Sequence, residues 1–229
     1  MENKNFKDLE KSLRENNITM ILDEGFNVVN KFKDHVANLE GDIVECGVWN
    51  GGMSIYLSHQ HPTKQIWVCD SYEGFEPIEK QTHKYERERH TSEYTVIPQG
   101  SIISPLEKVT ENFNKYGLGE DIEKKRINLV KGFVSESLPG MPVEKIALLR
   151  IDVDGYSPTL DVLENLYDKV VEGGLIIFDD SNLYESFEAI QRFFIERGIE
   201  MEVFHPMTGE KIFIDRQFTH SNNCYIIKK

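Results

Sequence analysis

Four aspartates, Asp152, Asp154, Asp179 and Asp180, close two apolar runs, "LLRIDVDG" and "GLIIFDDSN". Both runs read as buried strands. A carboxylate at such a strand end is costly to desolvate unless something compensates it. If the two strands are neighbours, all four charges converge at one sheet edge, and their repulsion drives a proton onto one of them. A divalent cation removes that conflict, and an oxygen-only donor set favours Mg²⁺ or Mn²⁺ over zinc. Helix capping is the competing account. "DDSN" precedes a helix near 184, and Ser157 or Asp154 could cap the helix that carries Pro158 at an early position. Capping explains one Asp at each place and hardly all four.

A second cluster lies upstream in "DIVECGVWNGGMS". Gly47, Gly51 and Gly52 permit a tight strand-to-helix turn and close approach of a ligand to backbone. The spacing is not that of a dinucleotide-binding turn, and Glu45 ahead of it suits a ligand with a positive group better than a diphosphate. Asp70 ends the next strand, "KQIWVCD". A carboxylate there can accept hydrogen bonds from a ribose diol, as in nucleoside-cofactor folds. Turn and carboxylate together indicate a nucleoside cofactor.

The elements that must position these residues follow from the pattern. Residues 5 to 38 carry apolar positions at helical spacing, with a break near "NNIT". From Asp42 onward, Val/Ile-rich strands alternate with helices, which indicates a mostly parallel sheet covered on both faces. A helix is expected over 104–117, a strand at "INLVKG", and a helix over "SPTLDVLENLYDKVV". The last two strands, "IEMEVFHPM" and "SNNCYIIKK", have no helix between them and can pair antiparallel. "TGEKIFIDRQFTH" between them has room for one more short strand. The organisation expected is an N-terminal helical extension over 1–38, acting as lid or oligomer contact, and one domain over 39–229. A polar, lid-like insertion falls near 76–97.

Bulk properties narrow the partners. The 229 residues include 26 basic and 39 acidic side chains, a formal charge of −13, and the mean hydropathy is −0.44. Such a balance argues against nucleic acid and against an anionic membrane surface. A neutral substrate, or one held through a metal, fits better. No run is long enough to span a membrane, and the start is too polar for a signal peptide. Cys46, Cys69 and Cys224 fall in separate strand-like runs, as expected of reduced, buried thiols in a cytoplasmic protein.

Four blocks, "GDIVECGVWNGGMSIYL", "IWVCDSYEGF", "LVKGFVSESLP" and "LLRIDVDGYSPTLDVLENLYDKVVEGGLIIFDD", together resemble the macrocin O-methyltransferase (TylF-type) family over roughly residues 38 to 200. The resemblance implies a Rossmann-like class I methyltransferase fold, a mostly parallel seven-stranded sheet with an antiparallel last strand. It implies S-adenosylmethionine and Mg²⁺ as cofactors, and a sugar-bearing small molecule as acceptor. Carried over position by position, Glu45, Gly47 and Gly51 match the methionine-side loop. Asp70, with Ser71 beside it, matches the ribose ligand, and Gly132 and Phe133 match the segment beside the adenine. Asp152, Asp179 and Asp180 match the metal ligands.

The expected chemistry is methyl transfer to a sugar hydroxyl, with a carboxylate removing the proton. Asp152 is the first choice of base and Asp154 the second. His83, His90 and His205 could do the same job but suit surface or packing roles better. Tyr156 suits either the acceptor pocket or the core. Two other readings of the residues are a metal-dependent glycosyltransferase, suggested by "DVD" at a strand end, and a non-catalytic nucleoside-binding module that assembles through the N-terminal helices. Exposed apolar positions on those helices would make a homo-oligomer.

Overall fold

The computed structural model describes residues 5–77, 97–212 and 222–229. Five parallel strands, β1 (Asp42–Cys46), β2 (Ile66–Asp70), β3 (Ile127–Lys131), β4 (Ile146–Ile151) and β5 (Val170–Phe178), form most of one sheet. The order is β3-β2-β1-β4-β5-β8-β6-β7, where β6 is Val203–Phe204, β7 Lys211–Ile212 and β8 Cys224–Ile227. The chain reverses direction between β1 and β4, a switch point at which open α/β sheets place their ligands. β8 runs antiparallel to both β5 and β6, and β7 pairs antiparallel with β6. The sheet therefore has eight strands among the described residues rather than seven. The extra one is the two-residue β7, cut from the "TGEKIFI" segment.

Period-two alternation splits the strands between two cores. Val44, Cys46, Leu149, Ile151 and Phe178 face one side. There they meet α7 (Val134–Ser137), α8 (Tyr156–Leu166) and α9 (Tyr184–Glu196). Ile43, Val68, Leu148 and Ile177 face the other side. That side is covered by α1 (Phe6–Glu15), α2 (Asp23–Lys31), α3 (Lys33–Asn38), α4 (Gly52–Gln60) and α5 (Leu106–Lys115). A further short helix, α6 (Gly119–Glu123), leads into β3. Leu13, Phe26, Val28, Val29 and Val36 of the first three helices are buried in this layer. The apolar stripe read from the sequence is thus spent on the sheet, and the break near "NNIT" is real, spanning 16–22.

One boundary moves. The helix expected through Val171 ends at Leu166, followed by a single 3₁₀ turn at Tyr167–Lys169. Val170 instead opens β5 opposite Ile146, where a β-branched residue packs well on the pleated surface. The lid-like insertion lies mostly outside the described residues, as do His83 and His90. The three cysteines are buried thiols outside any disulfide among the described residues. No described helix is long and apolar enough to cross a membrane.

Candidate active site

Register brings the acids together. Cys46 is level with Cys69 and with Ile151, and Ile151 with Phe178. The ladder continues one residue further, through Asp152 N to Cys46 O (2.9 Å) and Asp179 N to Ile151 O (2.9 Å). The carboxyl ends of four adjacent strands thereby release Gly47, Asp70, Asp152 and Asp179 at one edge. They open into a cleft of about 410 Å³.

The cleft is lined by Glu45, Gly47, Asp70, Ser71, Phe133, Asp152, Asp154, Asp179 and Asp180, all singled out in the sequence. Gly51 and Gly132 stand outside it. Gly51 adopts φ 86° at the start of α4, where a Cβ would come within 2.9 Å of the Phe113 ring. Gly132 turns at φ 143° against Ser137. At both positions an added Cβ would press on a neighbouring side chain. Gly47 serves close approach: a Cβ there would overlap the Asp152 carbonyl at 1.6 Å. Tyr156 is buried and accepts from Arg192 Nη1 at 2.9 Å, and His205 lies in the β6–β7 turn, where its Nδ1 accepts the Met207 and Thr208 amides at 3.2 and 3.3 Å.

Capping does not explain the acids. The N-caps of α8 and α9 are Gly155 and Leu183, and neither makes a side-chain cap bond. A residue overlooked in the sequence explains part of the pattern. Arg150 has no exposed surface. Its Nη1 donates to Glu45 Oε1 and to Asp152 Oδ2, each at 2.7 Å, and its Nη2 donates to Asp179 Oδ1. Glu45 is its register partner on β1, and the second Glu45 oxygen accepts from Ser54 Oγ on α4. Glu45 is thus committed to the protein's own cation. The signal was present: Glu45 stands two residues before Gly47, and Arg150 two before Asp152, opposite charges at equal offsets from two strand ends.

One guanidinium cannot balance so many carboxylates. Burial pushes the Glu45 carboxyl up to about 7 against the opposing pull of Arg150 and Ser54. Burial and the charge of Asp152 raise Asp179 to about 7 despite Arg150. Neither Asp154 nor Asp180 makes an ion pair among the described residues, although the charge of Arg150 still favours ionised Asp154. Asp180 Oδ2 accepts the Asp154 amide at 2.9 Å, and Asp154 holds the uncommon φ of 48°. Burial, then Asp152, raises Asp154 to about 6. Burial, then Asp154, lifts Asp180 well above the carboxylate range.

Asp152, Asp154 and Asp180 each offer a carboxylate oxygen, all within 4.8 Å of one another. The sequence reading grouped Asp152 with Asp179 and Asp180; the oxygens that lie close together here are those of Asp152, Asp154 and Asp180, and of these only Asp152 shares Arg150 with Asp179. Three carboxylate oxygens at this spacing suit a hard divalent cation. On the nucleoside side, Asp70 Oδ2 accepts the Val48 and Trp49 amides at 2.8 and 3.2 Å, and Oδ1 accepts the Tyr72 amide at 2.7 Å. Asp70 fixes the glycine turn as well as facing the cleft. The far walls, unforeseen in the sequence, come from 18–22, Ile102, and Asn222 and Asn223. The buried Asn223 Oδ1 has no hydrogen-bond partner among the described residues.

Comparisons with known proteins agree with this fold. A family model described as macrocin-O-methyltransferase (TylF) matches residues 7–208. A tetracenomycin-C 4'-O-methyltransferase of Streptomyces olivaceus, whose substrate carries a dimethoxy-rhamnosyl group, is 37% identical over 61% of this chain and 52% of its own. Mycinamicin III 3''-O-methyltransferase of Micromonospora griseorubida is 31% identical over 77% of this chain and 66% of its own. The chain thus spans about half to two thirds of these relatives' length. Among solved structures, the O-methyltransferase NovP superposes with a TM-score of 0.67 at 26% identity, covering 88% of this chain and 79% of that one. A calicheamicin methyltransferase shares the fold, with a TM-score of 0.58 at 19% identity over 97% of this chain and 90% of that one.

Proposed function

The chain belongs to the macrocin O-methyltransferase (TylF) family, and from that premise we propose that it methylates a hydroxyl of a sugar-bearing small molecule. S-adenosylmethionine is the methyl donor, and a divalent cation, Mg²⁺ or Mn²⁺, sits at Asp152, Asp154 and Asp180. The observation that carries this reading is the convergence of the glycine turn, Asp70 and the un-neutralised acids on one cleft.

The bound groups supply an electrophilic sulfonium methyl and a Lewis acid that lowers a hydroxyl's pKa. The chain's own residues do the rest. Asp70 takes the ribose hydroxyls while its amide bonds hold the turn rigid. Phe133, at the cleft wall, covers the base. Asp152 has one oxygen tied to Arg150, which leaves the other for the ion. Asp154, which makes no ion pair among the described residues, receives the acceptor's proton on the carboxylate oxygen that the ion would leave free. That reverses the order of choice made from sequence, because the bond from Arg150 to Asp152 was overlooked there.

Calorimetric titration of S-adenosylhomocysteine, followed by turnover of S-adenosylmethionine with glycosylated acceptors with and without Mg²⁺, tests the reading. Binding of the cofactor product and chelator-sensitive methylation are expected. Failure to bind S-adenosylhomocysteine would sink it, and methylation untouched by chelation would remove the ion from it.

A further inference from the structure

Asn50 lies in the turn between β1 and α4, 1% exposed and outside both acid groups. Its flanking residues, Trp49 and Gly51, both take positive φ, 47° and 86°. Its side chain reaches two segments remote in sequence. Nδ2 donates to the Asn17 carbonyl at 3.0 Å, and Oδ1 accepts from Ser104 Oγ at 2.6 Å. Its own carbonyl accepts from Asn112 Nδ2 at 2.9 Å, which pins the turn to α5.

The two segments it reaches run on into the wall of the cleft and form two of its rims. Residues 18–22 line it on from Asn17, and Ser101 and Ile102 line it just before Ser104. The rims carry most of the molecule's exposed large apolar side chains near the site: Met20 and Leu22 at 53%, Ile102 at 47% and Ile103 at 53%. The other end of the turn is gripped by Asp70 through the Val48 and Trp49 amides. The short segment from the nucleoside carboxylate to the rims therefore runs through hydrogen bonds that are buried or partly buried. Such bonds are costly to leave unmade once one partner shifts.

We infer that Asn50 is a positioning residue that couples the nucleoside end of the cleft to both apolar rims. Ligand on Asp70 stiffens the Val48–Gly51 turn. Asn50 then holds the 17–22 and 101–104 segments in one arrangement, which sets the width of the opening through which an acceptor enters. The inference rests on the reading that S-adenosylmethionine occupies this cleft.

Hydrogen exchange read by mass spectrometry, with and without S-adenosylhomocysteine, tests it. In the native chain the ligand should slow exchange in both 17–22 and 101–104 by about fivefold or more. Ser104→Ala deletes one hydroxyl and one arm. It should abolish the ligand-induced protection of 101–104, leave that of 17–22, and keep the dissociation constant within about threefold. Ser104→Thr, which restores the hydroxyl, should restore the protection. Asn50→Ala should remove protection at both rims. Protection of 101–104 that survives Ser104→Ala overturns the coupling. So does ligand binding to the native chain with no rim protection. A native chain that binds no S-adenosylhomocysteine overturns the cofactor reading and this inference with it, a result distinct from binding without protection.

Discussion

Five carboxylates crowd the end of this sheet, and they divide into two groups that share a chemistry and differ in surroundings. Glu45, Asp152 and Asp179 ring the buried Arg150. Asp154 and Asp180 make no ion pair among the described residues; they face each other, a backbone amide and the shared neighbour Asp152, with Arg150 acting on Asp154 from a distance. The first group is part of the fold: a buried arginine requires those oxygens, and they require it. The second group carries charge that the protein leaves uncompensated, which is the condition for taking up an ion or a proton. Residue type does not separate the two groups. The distance to one guanidinium does, and Asp152 stands at the boundary, bonded to Arg150 and within 4.8 Å of Asp154 and Asp180.

The largest effect should come from breaking the first group. Arg150→Met leaves three carboxyls buried without a cation, and should destabilise the protein by about 3–5 kcal/mol, read as a lowered midpoint in urea denaturation. A midpoint equal to that of the native chain would erase the distinction between the groups. Asp180→Asn attacks the second group. It should lower turnover roughly a hundredfold or more, while the melting temperature holds or rises because a repulsion is relieved. Loss of stability with retained turnover would assign Asp180 to the first group instead.

The smallest effect concerns desolvation acting on a base rather than an acid. His61 is 2% exposed, and burial, then Lys64, lowers it from 6.5 to about 4. The unfolded chain therefore binds a proton that the folded chain refuses. Stability from this group is complete above 6.5 and is lost as pH falls from there toward 4. His61→Gln should flatten the stability–pH slope by at most about 1 kcal/mol per pH unit in that window. Urea unfolding at a series of pH values measures it, and an unchanged slope would remove burial as the cause.

Much of this was legible in the chain. Asp70, Asp152 and Asp179 stand where a β-rich run stops, so their place at strand ends followed from local pattern. The Val170 boundary was missed because the pairing with Ile146, a tertiary event, outweighed the helical run before it. Gly51 and Gly132 looked like ligand-cradling glycines. Positive φ can serve a ligand or a neighbouring ring equally, and only packing shows that Phe113 and Ser137 are the neighbours.

The sequence alone determined the α/β class, the order of its strands and helices, and which acids end them, because periodicity and strand ends are local properties. Only the tertiary structure decided which acid faces which. Arg150 is one residue in an apolar run until the parallel register sets it against Glu45, Asp152 and Asp179. Asp154 lies with Asp152 and Asp180 within 4.8 Å, while the same register sets Asp179 on Arg150. Charge balance at a site depends on distances across strands, and those distances exist only once the sheet has closed.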